Sequence, residues 1–157
     1  MASDTDRVWE LMEKISICML TTHDGEQIRS RPMAAFVRRD EDAVYFLGDA
    51  HRHKDEQIAE NPNVGLAFAD GHKFVSVTGH AAVSHDKAKI KELWEPVIKT
   101  WFTGGVDDPR ITVIKVTPTD GYYWDTKHGN MIAGIKMLIG AAVGKTLDDS
   151  IEGTLTV

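Results

Sequence analysis

Short apolar segments alternate with tight-turn signatures through most of this chain, and that succession points to antiparallel β architecture. His23-Asp24-Gly25-Glu26, Arg39-Asp40-Glu41-Asp42, Asp70-Gly71-His72 and Pro118-Thr119-Asp120-Gly121 are rich in the residues that turns require. Connections this short join antiparallel neighbours, whereas a parallel pair needs a crossover of about a dozen residues or more. The strands expected between them are Ile17–Thr22, Gln27–Arg38, Ala43–Gly48, Val64–Phe68, Phe74–Ser84, Arg110–Val116 and Tyr122–Thr126. Pro32 marks an edge, a bulge or a bend, and Gly79 allows a bend or bulge.

Helical spacing appears in four places. Val8, Leu11, Met12 and Ile15 predict a helix over 4–14, capped by Asp4 or Thr5. A short helix is expected near Lys54–Glu60, ended by Asn61-Pro62. A third starts at Ser84 or Asp86, with Ile90, Leu93 and Trp94 on one face and Val97 and Ile98 continuing past Pro96 to a stop at Thr103-Gly104-Gly105. The fourth runs from Met131 to about Val143, through Ile135, Leu138, Ile139 and Ala142. Residues 146–157 read as a polar, flexible tail. A chain of 157 residues built this way is expected to be one domain, mainly β with flanking helices, an antiparallel barrel with the helices outside.

Several function classes are disfavoured. The net charge of −6 argues against general nucleic-acid binding, which needs a basic face. No apolar run approaches the roughly 20 residues of a membrane helix, and the polar start MASDTDRVWE has no signal-peptide core, so the cytoplasm is the default compartment. The single cysteine, Cys18, lies in an apolar run and reads as a buried small hydrophobe. Of seven histidines only His51 and His53 are close, with no cysteine or carboxylate at zinc-ligand spacing, so no metal site is expected. Phosphate-loop, nucleophile-elbow and dinucleotide fingerprints are absent.

Against the acidic background, two basic foci stand out: Arg29-Ser30-Arg31-Pro32-Met33 and His51-Arg52-His53-Lys54. Arg29 and Arg31 share one strand face, and Lys54 falls in the first turn of a helix. Convergent cations at a helix N-terminus would form an anion site; the other reading is a solvated strand face with an ordinary surface lysine.

The order RSRPM, YFLGDAHRHK and Asn61-Pro62, followed by WFTGGVDDP (101–109) and YYWD (122–125), resembles the pyridoxamine 5'-phosphate oxidase-like split barrels, nearest the general stress protein branch. The resemblance covers about residues 5–147. It implies a split β-barrel homodimer with FMN at the interface. By resemblance, Arg31 and Lys54 hold the flavin phosphate, with Arg29 and Ser30 in support. Pro32 and Met33 lie along the isoalloxazine edge, Met33 through its backbone. Leu47 and Gly48 form part of the floor. His53 stands where the oxidases have arginine, and a neutral imidazole donates one hydrogen bond there. Trp124 is placed against the flavin from the partner chain; packing in a barrel core or dimer interface is its other reading. Trp101 and Phe102 lie near the pocket mouth or pack in the core.

Two departures argue against vitamin B6 oxidation: Phe36 replaces the lysine that faces the substrate phosphate, and the closing EGTLTV holds no arginine-rich segment. The expected function is a flavin-dependent oxidoreductase of the general stress protein type, acting on an unspecified small molecule. The alternatives are a non-catalytic flavin-binding or sequestering protein, and a split-barrel reductase using deazaflavin or haem. A flavoprotein needs no protein nucleophile, because the cofactor carries the redox chemistry.

Overall fold

The computed structural model describes residues 4–50, 53–94, 102, 104–127 and 130–138, with side chains to residue 125. The elements are α1 (Asp4–Ile15), β1 (Ile17–Asp24), β2 (Gln27–Ala34), β3 (Phe36–Arg38), a 3-10 turn (Arg39–Glu41) and β4 (Ala43–Asp49). They continue with α2 (His53–Glu60), β5 (Asn63–Asp70), β6 (Lys73–Ser84), α3 (Lys87–Leu93), β7 (Ile111–Lys127) and β8 (Asn130–Leu138).

All eight strands join one antiparallel sheet in the order β2-β1-β5-β6-β7-β4-β3, with β8 also on β7. The ends of that path, β2 and β3, are separated in sequence only by Ala35, so the sheet curls back on itself and closes as a split β-barrel. Ala35 N–H donates to the Ser16 carbonyl at 2.8 Å, which ties the junction to the start of β1. The strand predicted over 27–38 therefore breaks at Ala35 and runs straight through Pro32, which lies opposite Met19. Among the described residues β2 has a neighbour on one side only, and an edge tolerates the missing proline N–H.

Alternation fills the barrel. Cys18, Leu20, Leu66, Phe68, Val75 and Val77 point inward and meet Val8, Trp9, Leu11 and Met12 of α1. Burial pushes the Cys18 thiol up to about 12, which suits a packing role rather than a reactive one. β4 is covered on both faces: Val44 and Phe46 enter this core, while Ala43, Tyr45 and Leu47 pack under Ile90 and Leu93 of α3. Asp86 caps α3 by accepting from Lys89 N–H at 3.2 Å. The proposed continuation through Val97 and Ile98 lies outside the described residues, as do Trp101 and the 146–157 tail.

Two further expectations are corrected. Pro118-Thr119-Asp120-Gly121 is not a turn; β7 runs unbroken from Ile111 to Lys127. A register shift at Thr78/Gly79 absorbs the proline, and β6 pairs with β7 on both sides of it. The segment from Met131 is not helical over the residues described; it is the strand β8. Short apolar runs fit both periods, and here the open edge of β7 beyond Pro118 decides, since β4 pairs only with Ile111–Val116. The expected helix beyond Leu138 lies outside the described residues.

Gly79 has a steric role at the bulge. A Cβ there would lie 2.6 Å from the Thr117 carbonyl oxygen and 3.1 Å from Pro118 Cα, both backbone atoms. Gly79→Ala is expected to destabilise the fold by about 1–3 kcal/mol, as overpacking does. Urea titration should show a lower midpoint at unchanged slope; an unchanged midpoint would mean that the bulge yields freely.

Candidate functional site

The alternation of β2 sets the site. Arg29, Arg31 and Met33 share a face and run from exposed to half-buried to buried; Met33 ends in the barrel core. Ser30 and Pro32 are on the outer face, where Ser30 Oγ lies 2.6 Å from Thr21 Oγ1. At the exposed end, Arg29 donates to Asp24 at 3.1 Å and to Gln27 at 3.0 Å.

Arg31 is held differently. Its Nη1 donates to the Leu20 carbonyl at 3.2 Å and to Thr22 Oγ1 at 2.9 Å, and its Nη2 donates to Gln57 Oε1 at 3.1 Å. Thr22, fully buried, donates its own hydroxyl to Gln57 Oε1 at 2.6 Å. Every acceptor is uncharged, and among the described residues Arg31 joins no ion pair. Burial pulls its pKa below the usual arginine value. A cation that has lost water without gaining a carboxylate favours an anionic ligand.

The helix α2 supplies the opposite wall. Ile58 anchors it by burial in the barrel core, worth about 1.5–3 kcal/mol. Lys54, its second residue, is also buried and lines the same groove as Arg29, Arg31 and Gln57. Gly48 of β4 makes room for the helix start: a Cβ there would lie 2.7 Å from Thr112 Oγ1 and 3.3 Å from both Lys54 Cε and Asp55 Oδ1. Asp55 accepts from the Thr112 hydroxyl at 2.8 Å, and its Oδ1 has no hydrogen-bond partner among the described residues. Burial raises the pKa of this carboxyl. Leu47 points into the second core cluster, with Phe36 and Phe102.

Carboxylates also line the groove. Asp24 is taken by Arg29, and Glu56 lies 3.7 Å from the largely exposed His53, leaving Glu60 at the far end of the helix. The structure thus brings Arg29, Arg31, His53 and Lys54 together around one groove, with Gly48 beneath Lys54. Trp124 is elsewhere in its own chain, opposite Phe74 on β6 and stacked on Tyr122 with ring centroids 6.1 Å apart. The paired carboxylates of the 107–108 loop have a local role for Asp108: Arg110 binds it at 2.8 Å and holds its carboxyl down to about 2.

Sequence reasoning missed Thr22 and Gln57. Gln57 follows Lys54 by three residues, one helical turn, so it was within reach of a spacing argument. Thr22 shares the inward face of Cys18 and Leu20, and a polar residue at an inward strand position was a second readable signal.

A closed antiparallel split barrel with a cationic groove between an edge strand and a helix start defines the class of protein. Residues 3–148 match the family model for pyridoxamine 5'-phosphate oxidase like proteins, and the chain belongs to that family. It is similar to Protein bli-3 of Neurospora crassa, 25% identical over 118 residues, 67% of this chain and 56% of that protein. This chain thus spans little more than half the length of that relative. Among solved structures it is similar to General Stress Protein 26 from Bacillus anthracis, with 24% identity, TM-score 0.66 and coverage of 74% and 93% of the two chains. The general stress FMN/FAD binding protein from Xanthomonas citri gives 24% identity, TM-score 0.69 and coverage of 85% and 96%. At these identities the likeness to the two structures is one of fold. Among the described residues no helix is long and apolar enough to cross a membrane, and no cluster of three or more His, Cys, Asp or Glu could hold a metal ion.

Proposed function

We propose that this chain binds FMN and uses it as an oxidoreductase on a small molecule, in the manner of the general stress proteins. The observation that carries the reading is Arg31: half-buried, held by neutral acceptors, and in the same groove as Lys54. The Xanthomonas citri structure, an FMN/FAD binding protein with the same fold, supports it. Arg31 and Lys54 hold the phosphate, Arg29 and His53 lie at the rim, and the backbone at Met33 and Gly48 faces the ring system. When bound, the isoalloxazine supplies hydride and electron chemistry, while the protein binds and orients it. Phe36 is buried in the second core cluster, so the position at which the oxidases carry a substrate-facing lysine offers no cation. That favours a substrate other than a phosphorylated B6 vitamer.

The functional unit in this reading is a homodimer. Ile17, Met19, Ile28 and Phe74 are 60%, 40%, 68% and 37% exposed, a cost that a partner surface removes. On this face Ala34 of β2 and Ile17 of β1 are cross-strand partners, as are Phe74 of β6 and Trp124 of β7. A second copy covering this face brings its Trp124 against the flavin.

The test is a visible spectrum of the purified protein with and without added FMN, together with a thermal shift. A flavin band and a raised melting temperature are expected; their absence with excess FMN rejects the reading. Anaerobic titration with NADH and NADPH then separates an enzyme from a flavin holder, which reduces its FMN no faster than free FMN is reduced.

A further inference from the structure

We infer that Thr22 and Gln57 aim Arg31, and that their neutrality reserves its guanidinium for a phosphomonoester; the inference rests on the FMN reading above. Arginine carries five N–H donors in a rigid plane. Three are occupied here: two on Nη1, by the Leu20 carbonyl and the Thr22 hydroxyl, and one on Nη2, by the Gln57 amide oxygen. Thr22 and Gln57 are joined by their own hydrogen bond of 2.6 Å, so they occupy the Nη1/Nη2 end of the fork together. Among the described residues the donors left are Nε–H and the second Nη2–H. Those two lie parallel on one edge, the geometry that meets two oxygens of a phosphate.

Two separate elements impose this orientation. In the β1–β2 ladder Leu20 faces Arg31 and Thr22 faces Arg29, so Thr22 reaches Arg31 along the diagonal. Gln57 comes from α2, one turn after Lys54. The helix that presents Lys54 therefore also braces Arg31, and the two phosphate donors move as a unit. The absence of charge on the brace matters as much as its position. A carboxylate in place of the Gln57 amide would neutralise Arg31 before any ligand arrived and would repel a dianion.

The experiment compares FMN and riboflavin affinities of the full-length wild type, Gln57→Glu and Gln57→Ala by fluorescence quenching. Glutamate matches glutamine in size, and the melting temperature of the ligand-free variant checks that the fold is kept. For Gln57→Glu, FMN binding is expected to weaken by about 10-fold or more, the loss of one charge-assisted contact, with riboflavin binding within about twofold of wild type. The Gln57→Ala variant, which removes the brace without adding charge, should lose less FMN affinity than Gln57→Glu. The Gln57→Glu deficit relative to wild type should shrink as pH falls through the carboxylate range, a signature that a packing role would not give. FMN affinity unchanged in Gln57→Glu, or equal losses for FMN and riboflavin, would overturn the inference while leaving the FMN reading intact. A wild type that binds riboflavin as tightly as FMN would instead remove the phosphate site itself.

Discussion

Removing either Arg31 or Lys54 is expected to weaken FMN binding by about 10- to 150-fold and to leave riboflavin binding nearly unchanged. In the proposed site each variant deprives the phosphate of one charge-assisted donor, worth roughly 1.5–3 kcal/mol, and 1.4 kcal/mol is about a decade of affinity. Riboflavin has no phosphate and makes no use of that donor. The two positions call for different controls. Arg31 is half-buried at the groove, and Arg31→Ala strands the hydroxyl of the fully buried Thr22 less severely, because Gln57 still accepts from it. Lys54 is itself buried, so Lys54→Ala empties the space beside Gly48, whereas Lys54→Met keeps the stem and removes only the charge. Both Lys54 variants should lose FMN; only the alanine should also lower the melting temperature. Arg38→Ala is the control, since Arg38 bonds the Val37 carbonyl and pairs with Glu92 at 3.6 Å, an exposed contact worth about 0–1 kcal/mol. Equal losses for FMN and riboflavin, or no loss for either, would mean that these residues form a solvated basic face.

How legible the molecule was depends on where its information is stored. β1, β5 and β6 announce themselves because one face is buried and the other is not, so Leu66, Phe68, Val75 and Val77 alternate visibly. β7 and β8 do not, because their identity depends on a neighbour. Pro118 and Gly121 look like a turn until the shift at Gly79 supplies a place for them in a continuous ladder. Met131 to Leu138 fits either period, and only the unpaired edge of β7 selects the strand. The site divides in the same way. Arg31 and Lys54 stand out as charges in an acidic chain. Thr22 carries no charge and becomes informative only once the β1–β2 register places it diagonal to Arg31. Trp124 sits beside Phe74, apart from the groove of its own chain, and only the family resemblance sets it against the flavin from a partner rather than in plain packing.

The proposed dimer gives the other large expected effect. Met19→Glu should convert a dimer into a monomer and weaken FMN binding with it. Met19 lies on the outer face of β1, opposite Pro32 on one side and Ala67 on the other, and is 40% exposed in a single chain. Within one protomer a glutamate there stays in water, so the melting temperature of the isolated chain should change little. In a two-fold interface the same substitution appears twice, and each carboxylate loses water against an apolar surface. Burial of an unpaired charge costs several kcal/mol per ion, so dimer affinity should fall by about 100-fold or more on the scale of 1.4 kcal/mol per decade. Analytical ultracentrifugation across a dilution series reads the first effect, and flavin fluorescence in the same samples reads the second. The coupling between them is the informative part. If Trp124 of a second copy completes the site, FMN affinity must fall in step with dissociation, in the variant and in diluted wild type alike. A wild-type monomer holding FMN at full affinity at high dilution would confine the flavin to one chain and leave the apolar face of β2, β1, β6 and β7 without a role in binding it.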